Sequence, residues 1–82
     1  MATTYVAFMN FTGQCLLSRA DAETAREDAA KHITYKGTTY RDHLDSVTVL
    51  EMDGAQYEHL FRDGRNPLLS DLRKRFPVVG RA

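Results

Sequence analysis

The sequence predicts an α+β fold: a β-β-α-β antiparallel sheet with one packed helix, followed by one or two short C-terminal helices. Two short apolar runs near the start of the chain, and a third after residue 45, have the composition of strands. Between the second and third runs lies a segment rich in alanine, glutamate, arginine and lysine, which favour helix. Two strands, a helix and a further strand together indicate a helix layered on a small sheet.

The first two strands are predicted to form a hairpin. Residues 5–9 (Tyr-Val-Ala-Phe-Met) are apolar on both faces and rich in strand formers. Residues 10–13 supply turn-forming side chains, and residues 14–17 form the second apolar run.

The helix that follows is the clearest element of the sequence and is predicted over residues 20–33. Ser18 is a candidate N-cap, with Asp21 three residues later as a capping-box partner. Small and apolar side chains recur at helical spacing on one face: Ala22, Ala25, Ala29 and Ile33. Because most of them are small, we expect the helix to lie close to the sheet.

Residues 34–45 are polar and are predicted to form a long loop, and residues 46–52 the third strand. The next segment, residues 55–62, has two interpretations. Asp53-Gly54 is a hairpin signal that favours a fourth strand. Asp53 and Gln56 instead form a capping-box pair, which favours a short helix, the interpretation we prefer.

A last helix is predicted to begin at Asn66-Pro67, a cap residue followed by proline, and to end before Pro77. Its apolar face consists of Leu68, Leu69, Leu72 and Phe76. Residues 78–82 are predicted to be a flexible tail of a single compact domain, residues 1–82.

The net charge of zero conceals an uneven distribution. Residues 1–61 carry five basic and nine acidic side chains, a net charge of −4, whereas residues 62–82 carry six basic and two acidic ones, a net charge of +4. Asymmetry of this kind often marks a surface that meets a partner. The alternative is that the basic segment folds back on the protein's own acidic part.

The candidate binding residues lie in that basic segment: Arg62, Arg65, Arg73, Lys74 and Arg75. The arginine guanidinium is planar and always charged, which suits it to carboxylates and phosphates. Contact with a protein partner is the first interpretation and contact with nucleic acid the second. A sequence pI near 6.8 is well below the value above 9 that is typical of nucleic-acid-binding domains.

Signs of catalytic or metal chemistry are few. His43 with Asp42 or Asp45 could form a general-base pair, but the simpler interpretation is a solvated loop. The three histidines lack metal-site spacing, and Cys15 lies in an apolar run. The five glycines are isolated, so no phosphate-binding loop is present. We therefore expect a protein that is not an enzyme, with no catalytic residue, no metal and no cofactor.

The order of two strands, an Ala-rich helix over residues 18–33 and a strand over residues 46–52 resembles that of small phage-encoded accessory proteins, among them anti-CRISPR inhibitors. This architecture-level resemblance covers residues 4–62 and carries no motif. It implies an inhibitor from a phage or mobile element that occupies a surface on a host defence or nucleic-acid-processing complex.

The remaining expectations concern the environment of the protein. No apolar run approaches the roughly 20 residues of a membrane helix, and the start of the chain lacks the basic region and long apolar core of a signal peptide. A single cysteine forms no internal disulfide. We therefore expect a cytoplasmic protein without a membrane partner, and its thin core makes a homodimer an option.

Overall fold

The computed structural model describes residues 2–79. Its centre is a three-stranded antiparallel sheet in the order β2-β1-β3. The strands are β1 (Thr3–Met9), β2 (Cys15–Arg19) and β3 (Val47–Asp53). The predicted α+β class, with two strands, a helix and a third strand, is confirmed.

β1 is the central strand and has side chains buried on both faces. Val6 and Phe8 point to one face and Ala7 to the other, and none of the three is exposed to solvent. The pairing of β1 with β2 shifts between Ala7 and Phe8, where Ala7 faces Leu17 and Phe8 faces Cys15. This irregularity is a β-bulge, which places one additional residue in β2.

One face of the sheet is covered by α1 (Ala22–Ile33). Its buried side chains are all small: Ala25, Ala29 and Ala30. The predicted close packing of an alanine face is therefore confirmed. The predicted cap is wrong, because Ser18 pairs with Val6 inside the sheet and Asp21 caps the helix through the Thr24 N–H.

The segment predicted as a long loop contains a 3₁₀ helix, Tyr40–Ser46. Two hydrogen bonds between Thr39 and Asp42 stabilise its start: the Thr39 N–H donates to the Asp42 carboxylate at 2.9 Å, and the Asp42 N–H donates to the Thr39 carbonyl at 3.0 Å. The Arg26 side chain of α1 donates to the Leu44 carbonyl at 3.1 Å. The prediction of a loop is thus wrong over its second half.

The opposite face of the sheet is covered by the C-terminal third of the chain. α2 (Gly54–Leu60) starts at the Asp53–Gln56 capping box, as the preferred interpretation of this segment predicts. Tyr57 and Phe61 follow one another on its inner side, with ring centroids 4.8 Å apart. Phe61 also lies 6.5 Å from the ring of Phe8 in β1. The sheet therefore lies between two helical layers.

The last predicted helix is much shorter than expected. α3 spans Leu69–Leu72, and its N-cap is Leu68, in an extended conformation, instead of Asn66. The Leu69 N–H donates to the Gly13 carbonyl at 2.9 Å, so a contact distant in sequence fixes where α3 begins. Turns continue to Phe76, and Leu69, Leu72 and Phe76 pack into the core, while Leu68 is exposed.

Residues 77–79 pair with β3. The Glu51 N–H donates to the Pro77 carbonyl at 3.0 Å, the Val79 N–H donates to the Val49 carbonyl at 2.9 Å, and Val78 lies opposite Leu50. The predicted flexible tail is therefore wrong for residues 78 and 79, where backbone hydrogen bonds hold the chain. Residues 80–82, the rest of that predicted tail, lie outside the described residues.

Candidate functional site

The five basic residues singled out in the sequence lie on the C-terminal layer and are all exposed. Arg62 and Arg65 belong to the turn between α2 and α3, where Asp63 and Gly64 adopt left-handed backbone conformations. Arg73 and its two basic neighbours follow α3, in turns that return to the buried Phe76. The turns before and after α3 thus carry these cations, in the layer that covers the sheet face opposite to α1.

None of the five forms an ion pair with an acidic side chain within residues 2–79. The ion pairs in this part of the chain join other residues: Arg19 and Lys31 to Asp28, and Arg26 to Asp45. Two of the nine acidic side chains of residues 1–61, Asp28 and Asp45, are thus paired with cations of the same segment. The alternative in which the basic residues pair with the protein's own acidic part has no ion pair to support it here.

The five cations do not form one patch. Arg75 lines a cleft of about 220 Å³ against α2, together with Leu60 and Phe76. Arg65 lines a second cleft of about 450 Å³ with Pro67, and this cleft shares His59 and Leu60 with the first. We call the two together the α2 groove.

Arg73 belongs to a different cleft, beside the turn that joins β1 to β2. This turn cleft of about 360 Å³ is bounded by residues 10–13 on one side and residues 68–70 on the other. Phe11 is 95% exposed on it. An exposed aromatic ring beside an arginine can contact either a nucleotide base or an apolar side chain.

Hydrogen bonds fix the inner wall of the turn cleft. The buried Thr48 hydroxyl of β3 donates to the side-chain oxygen of Asn10. The amide nitrogen of Asn10 donates to the Asp45 carbonyl at 3.0 Å. Both ends of the Asn10 side chain are therefore hydrogen-bonded. No local pattern predicts these contacts, because residues 10 and 48 meet only in the folded sheet.

His43 and the neighbouring carboxylates are not brought together as an acid–base pair. The Nε2 atom of His43 lies 3.0 Å from the Thr38 hydroxyl, which donates to the Tyr35 carbonyl. Asp42 caps the 3₁₀ helix, and the carboxylate of Asp45 binds Arg26 at 3.3 Å. Each of the three candidate groups therefore has a local structural contact.

Cys15 lies half-buried in β2, and burial raises the pKa of its thiol to about 11. The thiol is therefore protonated at neutral pH, whereas a reactive cysteine needs a thiolate. Within residues 2–79, no group of three or more His, Cys, Asp or Glu side chains is close enough to hold a metal ion. Over the same residues, no helix combines the length and apolar composition that crossing a membrane requires.

Comparison with known proteins returned no matching family model, no matching curated protein and no matching solved structure. The candidate site consists of the α2 groove and the turn cleft.

Proposed function

We propose that the chain is a non-enzymatic protein-binding module whose contact surface is the basic C-terminal layer. The observation that carries this proposal is the exposure of Arg62, Arg65 and residues 73–75 without an ion pair in residues 2–79. Arginine is enriched where protein interfaces concentrate their binding energy, and charge complementarity speeds the encounter of partners.

A more specific form of this proposal is a phage or mobile-element inhibitor that occupies a host protein complex. Its support is the architectural resemblance of residues 4–62 to small phage-encoded proteins. Function resides in the site and not in the fold, so the general proposal does not depend on this form.

The test is affinity capture with a matched charge control. The tagged protein and two variants, R73E/R75E and K36E/R41E, are incubated with a lysate of the source cells, with and without nuclease. Both variants change the net charge equally, and all four side chains are exposed. The proposal is supported if wild type and K36E/R41E capture a protein partner with and without nuclease, and R73E/R75E does not capture it. Equal capture by all three proteins would overturn it.

A second candidate function is the binding of single-stranded nucleic acid, which the turn cleft favours. Phe11 is almost fully exposed and shares this cleft with Arg73. A base can stack on an exposed ring while an arginine contacts the adjacent phosphate, and stacking contributes about 1–3 kcal/mol per base.

Fluorescence anisotropy with a labelled oligothymidylate tests this second function. We expect affinity to fall steeply as salt is raised, and F11A to weaken binding at every salt concentration. The control is Y35A, which removes another exposed aromatic ring on a different part of the surface. No binding at low salt, or a flat salt response, would eliminate this function.

A further inference from the structure

The α2 groove has an apolar floor and two cations. Leu60 is half-buried and common to both of its clefts, the largely buried Phe76 closes one cleft, and Pro67 lies in the other. The exposed guanidinium groups belong to Arg75 in the first cleft and Arg65 in the second. The groove therefore offers apolar contact in its middle and positive charge from each of its two clefts.

The lining of the groove contains no acidic side chain among the described residues. Glu58 belongs to α2 but does not line either cleft. The Arg75 guanidinium carbon lies 5.5 Å from the centroid of the Phe76 ring, so this cation is held at the apolar floor. Arginine in this position combines a charged hydrogen-bond fork with a surface that tolerates contact with apolar groups.

We propose that the α2 groove binds an acidic peptide segment of a partner protein, with an apolar side chain on Leu60 and Phe76 and carboxylates on Arg65 and Arg75. This inference rests on the proposed protein-binding function and names the partner's chemistry. Charge complementarity selects an acidic segment, since both charged side chains that line the groove are cations. Carboxylates suit these cations because guanidinium binds them in a bidentate fashion.

A nucleic acid fits this groove less well. The aromatic ring that lines the groove, Phe76, is only 8% exposed and offers no platform on which a base could stack. The exposed ring Phe11 lines the turn cleft, which is a separate site. The groove is therefore assigned to a peptide.

The experiment is a nuclear magnetic resonance titration of the full chain with the synthetic peptide Glu-Glu-Leu-Glu-Glu-Leu-Glu-Glu. We expect amide shifts to be confined to α2, residues 65–66 and residues 75–76. We expect R65E/R75E to weaken binding about tenfold or more, because both carboxylate contacts are lost. K36E/R41E carries the same change in net charge at exposed residues outside the C-terminal layer, and is expected to bind within about twofold of wild type.

Two control peptides separate the parts of the proposal. Serine in place of leucine should weaken binding by removing the apolar contact, and lysine in place of glutamate should abolish it. Retained amide dispersion of each variant shows that it is folded. Shifts centred on the turn cleft, equal loss in both variants, or no binding of the acidic peptide would overturn the groove assignment.

Two results separate the binding of an acidic peptide by the α2 groove from the general protein-binding function. Protein capture that depends on Arg73 and Arg75, in a protein that does not bind the acidic peptide, would retain the protein-binding function and eliminate this ligand. Peptide binding by R65E/R75E at wild-type affinity would eliminate the groove as its location.

Discussion

The Leu69 N–H donates a 2.9 Å hydrogen bond to the carbonyl of Gly13, which joins the start of α3 to the turn between β1 and β2. Gly13 has a φ of +75°, a conformation that other L-residues adopt at a cost. This pair holds together the two sides of the turn cleft. The backbone at residue 13 therefore influences both the fold and the candidate site.

Replacing Gly13 tests this connection. G13A is expected to lower the free energy of unfolding by about 1–2 kcal/mol, because alanine is strained at positive φ. G13N should cost less, since asparagine enters the left-handed region more readily. Urea denaturation of the three proteins measures the difference. Equal midpoints for wild type and G13A would show that the turn relaxes without strain.

The close contact between α1 and the sheet gives a second prediction. Ala29 is fully buried among Ala7, Val47 and Val49, so A29L must push the helix away from the sheet. Overpacking of this kind is expected to cost about 1–3 kcal/mol. H32L, on an exposed position of the same helix, is expected to change stability by less than about 0.5 kcal/mol. Thermal denaturation compares the two variants, and equal melting temperatures would contradict the packing described here.

A third prediction concerns Asp21, whose ionisation makes the free energy of unfolding depend on pH in the acid range. The hydrogen bond from the backbone N–H of Thr24, followed by that from its side chain, lowers the pKa of this carboxyl below 3.8. Because the pKa is lower in the folded state, the ionised carboxylate stabilises the fold above pH 3.8. That contribution is lost as the pH falls through the folded-state pKa.

The variant D21N tests this pH dependence, because asparagine can still cap the helix but does not titrate. We expect wild type to exceed D21N in stability most clearly above pH 3.8, with the two converging as the pH is lowered further. Urea denaturation over a pH series measures this difference. A constant difference across the series would eliminate Asp21 as its source.

The contact between α1 and the 3₁₀ helix gives a fourth prediction. Arg26 donates both to the Leu44 carbonyl and to the carboxylate of Asp45, which is 85% exposed. D45A is therefore expected to cost less than about 1 kcal/mol, as for exposed ion pairs generally. R26A should cost more, about 1–2 kcal/mol, because it also leaves the part-buried Leu44 carbonyl without this donor. Urea denaturation of these two variants and of R26K measures the free energy of unfolding of each. A larger loss of stability in D45A than in R26A would contradict this ranking.

Local patterns were sufficient to predict three strands, α1 and α2. The Asp53–Gln56 capping box is a contact across three residues, so its signal is complete within a short window of sequence. The end of the chain behaves differently, since α3 begins where Gly13 binds Leu69. A helix start that is fixed by a residue more than fifty positions away leaves no trace in local periodicity.

The candidate site was predictable in composition but not in arrangement. The sequence identifies Arg65, Arg73 and Arg75 as members of one basic cluster. The fold separates them: Arg73 lines the turn cleft, and the other two line the α2 groove. Their separation depends on how the C-terminal layer crosses the sheet, which charge counting along the chain does not describe.

The pairing of residues 77–79 with β3 has a consequence for self-association. β3 is the most buried strand of the sheet, and Val47 and its next three residues are all buried. An uncovered edge of such a strand is a template on which other chains can add in register. The short segment around Val78 occupies part of that edge. By pairing with β3, residues 77–79 therefore block part of this edge from pairing with another chain, in addition to covering the core.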